Sequence, residues 1–166
     1  MVLGMSLAAF TALHVIISLV GIASGLMVLF GWLTGRRFDG FTALFLVTTL
    51  LTSLTGFAFP VEHLLPSHIV GIISLVVLAI AIAARYVLHL SGVWRPIYVV
   101  SGAVALYLNV FVLVIQSFLK VAVLKELAPT QKEPPFLIAQ TIVLLLFVTL
   151  TFLAAKRFRL EPARAT

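Results

Sequence analysis

Residues 102–120, GAVALYLNVFVLVIQSFLK, decide the fold. The run is apolar up to its closing lysine and long enough to cross about 30 Å of hydrocarbon at about 1.5 Å per residue. It also carries Asn109 near its middle and Gln116 two turns later. Lipid offers neither amide a hydrogen-bond partner, so both are expected to face other helices or a wet cavity. A spanning helix with an inward polar face requires neighbours.

The neighbours are other apolar blocks. Working outward, spans are predicted over 97–120, 68–90 and 41–59 toward the N-terminus, then 7–33, and over 136–155 on the other side. The whole chain is 63% hydrophobic and 10% charged, with a mean hydropathy of +1.26. A soluble domain carries about a quarter charged residues. The expected fold class is therefore all-α, an integral membrane bundle of five transmembrane helices forming one domain, followed by a basic tail over 156–166. The net charge of +6 does not point to nucleic acid, because Lys and Arg sit at the ends of apolar blocks as topology signals and headgroup contacts. The absence of cysteine excludes disulfides, thiolate nucleophiles and Cys-ligated metals.

Punctuation between the blocks follows helix-end chemistry. The first block lacks a basic region before it and is too long for a signal peptide, despite the small residues Ala23 and Ser24, so it reads as a retained helix. Thr34-Gly35 is its expected stop, and Asp39 is placed to cap the second helix. Pro60 ends the second. Ser67 is the expected N-cap of the third, Ser91-Gly92 its close, and Pro96 suits the first turn of the fourth. The fourth helix is expected to continue along the interface toward Leu127.

Lys and Arg set the orientation. With the N-terminus outside, Arg36, Arg37, Arg85, Arg95 and the tail cations are cytoplasmic, while Lys120, Lys125 and Lys132 face outward among Glu126 and Glu133. Arg85, about a turn from its helix end, is expected to snorkel to the interface rather than stay buried.

At about 100° per residue, His14, Ser18, Gly21, Gly25 and Trp32 share one stripe of the first helix. Gly21 and Gly25 form a GxxxG pair through which another helix, in a homo-oligomer or a larger membrane complex, can approach closely. Gly102, Ala105, Asn109, Gln116 and Lys120 make a similar stripe on the fourth helix, and Gln140 belongs to one on the fifth. An inward seam of Asn109, Gln116, Gln140 and Ser18 is thus expected, either clamping helices together or lining a path.

The same topology gathers His14, His63, His68 and Glu62 on the outer side. Two imidazoles from different helices can ligate a b-type haem iron, and histidines with a carboxylate can hold a divalent metal. No HExxH or other metal signature accompanies them, so interfacial histidines are the plain alternative. All five carboxylates lie outside the predicted spans, and no GxSxG, Walker or paired-carboxylate motif is present, so catalysis has no support from the sequence.

Residues 107–113, YLNVFVL, with Gln116, Phe118, Leu119 and Lys120, then Leu127-Ala128-Pro129-Thr130-Gln131 and Glu133-Pro134-Pro135-Phe136, resemble small uncharacterised bacterial inner-membrane proteins. The resemblance implies a multi-pass protein of the bacterial inner membrane and transfers no functional residues. The leading expectation is a non-catalytic accessory subunit or a bundle that binds an apolar ligand within the lipid bilayer. The alternatives are a redox module holding haem or metal on the outer histidines, and a small transporter or channel along the polar seam.

Overall fold

The computed structural model describes residues 2–60 and 66–158. Among these residues the regular structure is helical, apart from a bridge between Val2 and Met5. The helices are α1 (Leu7–Leu33), α2 (Asp39–Gly56), α3 (Pro66–Ile82) with a π-helical turn (Ala83–Val87), α4 (Trp94–Lys120), the short α5 (Ala122–Leu127) and α6 (Pro134–Arg157). Five of these segments are long and apolar enough to cross a membrane, the third running through the π turn as His68–Val87.

Helix ends follow local chemistry. Ser6 caps α1 by accepting from the Ala9 N–H at 3.2 Å. Gly35, at φ +69°, takes the left-handed position after α1, and the Arg36 N–H closes back on the Gly31 carbonyl at 2.8 Å. Asp39 does not cap α2 as expected: it is the first helical residue, after Phe38, and its side chain is spent on Arg85. Ser67 lies inside α3, which opens at Pro66. Pro96 falls in the first turn of α4, where its missing N–H costs nothing.

Successive helices run up and down. α4 sits at the centre, touching α1, α2, α3 and α6, while α6 rests on α4 and α1. The core runs through Val28, Trp32, Phe45, Leu78, Tyr98, Leu106 and Phe147, joined by Phe158 beyond α6. α4 and α1 each bury nine residues, whereas α6 buries only Phe147 and Ala154. Leu144, Leu145, Val148 and Phe152 of α6 point outward, as expected of side chains whose solvent is lipid.

Packing depends on missing side chains at a few places. A Cβ on Gly25 would lie 2.6 Å from Leu106 Cδ1 and 2.8 Å from Phe45 Cδ2, and one on Gly102 would lie 2.7 Å from the Trp32 ring. The Gly21–Gly25 stripe is therefore filled by α2 and α4 of the same chain. It is not a free surface for a second copy, because the close approach it permits is already used.

Candidate functional site

Two polar groupings lie inside the bundle. The first is organised by α2, whose threonines turn their hydroxyls onto their own carbonyls: Thr48 to Leu44 at 2.6 Å, Thr52 to Thr48 at 2.9 Å, Thr55 to Leu51 at 2.7 Å. Their oxygens stay available as acceptors, and neighbouring helices meet α2 through its hydroxyls. Asn109 Nδ2 donates to Thr49 Oγ1 at 3.2 Å, and Thr49 is fully buried. Ser53 and Ser74 share a buried hydrogen bond of 3.1 Å between α2 and α3.

His14 Nδ1 lies 2.7 Å from Thr55 Oγ1. Because the Thr55 proton is directed to the Leu51 carbonyl, the Thr55 oxygen accepts and Nδ1 carries the imidazole proton. The tautomer is assigned from this network, and it leaves Nε2 with the lone pair. The ring stands edge-on to Phe59, with centroids 5.2 Å apart.

The residues expected to form one seam are not brought together. Ser18 donates to the His14 carbonyl of its own helix at 2.5 Å. Gln140 Nε2 donates to the Phe111 carbonyl at 3.2 Å, while its buried Oε1 has no partner. Gln116, expected inward, is exposed. Along the early half of α1 little is buried, Phe10 being its one buried residue before Gly21.

The histidine cluster is likewise not assembled by the described residues. His68 is buried with its ring 5.5 Å from that of Phe57, and His14 has Phe59 as its aromatic neighbour. His63 and Glu62 lie outside the described residues. Among those described, no three His, Asp or Glu side chains converge as a metal site would require.

The second grouping was not expected. Arg85 is buried, with 7% of its side chain exposed, and does not snorkel. Its Nη2 donates to Asp39 Oδ1 and its Nη1 to the Tyr98 hydroxyl at 3.3 Å. Its Cζ lies 5.4 Å from the ring centroids of both Tyr86 and Tyr98, within cation–π range. Nε is buried without a partner. Asp39 is 69% exposed and also approaches Arg37 Nε at 3.8 Å. One guanidinium thus ties the start of α2, the end of α3 and the first turns of α4.

The backbone around Arg85 is unusual. It sits in the π turn, and the chain then reverses with His89 at φ +51° and Leu90 at φ +55°, both non-glycine residues in the left-handed region. Leu90 is buried in the core, which holds the reversal in place. The sequence did carry a signal: an arginine within an apolar span needs a partner, and in an up-and-down bundle Asp39 is the carboxylate at the matching end.

No protein-family model, curated protein or solved structure matches the chain.

Proposed function

We propose that this is a non-catalytic accessory subunit of the bacterial inner membrane, with its N-terminus outside and its C-terminus cytoplasmic. One observation carries the reading: the polar side chains inside the bundle are largely spent on one another. Asn109 is matched by Thr49, His14 by Thr55, Ser53 by Ser74 and Arg85 by Asp39. Such pairs join helices; they do not leave a constellation of groups around a substrate. Shallow, open grooves lie on the outside of α1 (Leu7, Thr11, Val15) and at the start of α2 (Phe38, Phe41, Leu44).

The orientation is supported by the charge split. Arg36, Arg37, Arg85, Arg95, Lys156 and Arg157 lie at one end, and Lys120, Lys125 and Lys132 lie at the other with Glu126 and Glu133. The resemblance of residues 107–136 to bacterial inner-membrane proteins supports the location. Mild-detergent extraction, copurification and a mass measurement test the proposal. A defined partner or homo-oligomer is expected; a solitary monomer that turns over a substrate refutes it.

One observation favours a second reading, a haem or metal site on the outer side: the His14 tautomer presents Nε2 as a ligating nitrogen. In this reading the second ligand comes from His68, His63 or Glu62. An absorbance spectrum with elemental analysis decides it, and a colourless, metal-free preparation that stays so on reconstitution removes it. The transport reading has less support, because Asn109 is sealed against Thr49 and Gln140 against the α4 backbone.

A further inference from the structure

Three helix ends converge around Arg85. Trp32 near the end of α1, Tyr98 in the first turns of α4 and Phe158 just beyond α6 form an aromatic triangle, with centroids 5.2 Å (Trp32–Tyr98), 6.2 Å (Tyr98–Phe158) and 6.4 Å (Trp32–Phe158) apart. Each segment brings cations to the rim. Arg36 and Arg37 follow α1, Arg95 lies within a turn of Tyr98, and Lys156 and Arg157 finish α6. The first and last groups meet: a Cβ on Gly35 would lie 3.9 Å from the Arg157 carbonyl oxygen.

The charges at this end do not balance. Among the described residues its one carboxylate is Asp39, which is engaged with Arg85 and Arg37. Among the described residues, Arg36, Arg95, Lys156 and Arg157 have no carboxylate at ion-pair distance. Lys156 also has a particular setting. Its Nζ stands 4.3 Å from the centroid of Phe152, a ring 58% exposed, and Val148 lies one turn further along the same face, also 58% exposed. A cation thus tops an outward apolar ridge, beside arginines from a second segment.

That pattern has the shape of a phospholipid, with an anionic headgroup above and acyl chain below. We propose that the junction of the Gly35 turn with the end of α6 binds the phosphate of an anionic phospholipid. Arg36, Lys156 and Arg157 are its donors, and Phe152 and Val148 lie against the acyl chain. Guanidinium groups offer paired N–H donors suited to phosphate oxygens, and the lysine adds a point charge. The ridge separates a lipid from a free phosphate ion, which would gain nothing from Phe152. The opposite end carries Lys120, Lys125 and Lys132 interspersed with Glu126 and Glu133 and has no comparable excess.

The test uses the full chain in dodecyl maltoside micelles doped with phosphatidylglycerol, with phosphatidylcholine and inorganic phosphate as separate arms. Lipid retention is read by native mass spectrometry and stabilisation by the melting temperature. Phosphatidylglycerol is expected to be retained and to raise the melting temperature, and the other two probes are not. At about fivefold per cation near an anionic headgroup, the triple variant Arg36→Gln/Lys156→Gln/Arg157→Gln should weaken retention about a hundredfold. The variant Lys120→Gln/Lys125→Gln/Lys132→Gln should leave it unchanged. The proposal is overturned if the first variant binds like the native chain, if both variants lose binding equally, or if phosphate or phosphatidylcholine stabilises as well. Should the triple variant not fold, Arg36→Gln and Arg157→Gln singly decide, each expected to be about fivefold weaker, and native-like retention in both overturns the site.

Discussion

Asp39→Asn probes the least expected feature of the bundle, the buried Arg85. Asparagine keeps an oxygen where Asp39 Oδ1 accepts from Nη2, so the hydrogen bond survives and only the countercharge is lost. Removing one partner of a fully buried pair costs about 3–5 kcal/mol. Here the pair is lopsided: the Arg85 side chain is 7% exposed and that of Asp39 69%. Solvent screens the carboxylate, which lowers the expected cost to about 1–2 kcal/mol. For a chain of this size that corresponds to a fall of roughly 2–8 °C in melting temperature. Arg85→Met removes the buried charge together with its need for a partner and keeps an unbranched stem beside Tyr98, so it should cost less than leaving the charge unpaired. The double variant should then be no worse than Arg85→Met alone, because asparagine harms only a chain that still carries the guanidinium. Thermal unfolding in maltoside micelles, followed by circular dichroism, measures all four chains. The account fails if Asp39→Asn melts with the native chain, or if the double variant falls by the sum of the two singles. Arg37→Gln is the control: its 3.8 Å contact with Asp39 joins two exposed side chains and should be nearly silent.

Three further outcomes follow from the same geometry. Asn109→Leu should cost about 1 kcal/mol by leaving the fully buried Thr49 hydroxyl without its donor, and Asn109→Leu/Thr49→Val should recover most of that loss in the same melting assay; no recovery would mean that Asn109 does more than clamp. His89→Gly should stabilise by roughly 0.5–1 kcal/mol, since His89 is exposed and held at φ +51°, and a lower melting temperature would contradict the strain assigned there. In the loop before α6, slight desolvation raises the Glu133 carboxyl, but hydrogen bonds from the Thr130 hydroxyl and the amides of Glu133, Thr130 and Lys132 together hold it below the usual carboxylate range. Because the folded value lies below the unfolded one, its contribution is present above the unfolded value and disappears as pH falls through the folded one. Exchange protection of the Thr130 and Lys132 amides should therefore weaken in acid and be pH-insensitive in Glu133→Gln; identical profiles in the two chains would remove the assignment.

The five spans were legible because lipid imposes a simple rule on long segments, and it shows in length and composition. The inner part of the seam was legible too: Gly21, Gly25, Gly102 and Asn109 are all buried, as helical spacing predicted. Spacing alone could not tell how far a neighbour extends along a stripe. Gln116 shares the Asn109 face by angle, yet it is exposed, because what a residue on a stripe meets depends on the neighbour at its own depth. Helix ends were obscured where a tertiary partner competed with local chemistry. The third helix looked continuous over 68–90, but regular α-helix stops at Ile82, and the π turn and left-handed His89 and Leu90 follow. Ser91-Gly92 carries the stop signal, and the reversal begins ahead of it because Leu90 is drawn into the core. Asp39 fits the pattern of an N-cap and serves instead as a counter-ion, a choice made by Arg85 from far along the chain.

The two polar groupings place different demands on the fold. The hydroxyl contacts of α2 are adaptable, since a threonine bonded to its own carbonyl can accept from whichever donor arrives, and a modest slide of α4 would still offer Asn109 an oxygen on Thr48 or Thr52. Arg85 is not adaptable in this way. Its guanidinium is planar, it reaches Asp39 and Tyr98 at once, and it lies between two aromatic rings, so a one-turn shift of α2, α3 or α4 would strand a buried charge. The register of these helices is therefore set at the Arg85 end and only tolerated at the other, where α1 buries little before Gly21. This difference links the pair to the lipid site. Among the described residues Asp39 is the carboxylate at the cationic rim, so Asp39→Asn removes negative charge from it while loosening the helices beneath. Phosphatidylglycerol should then rescue the melting temperature of Asp39→Asn more than it raises that of the native chain. Rescue of the same size in both chains would separate the rim from the buried pair and leave Arg85 a purely internal anchor.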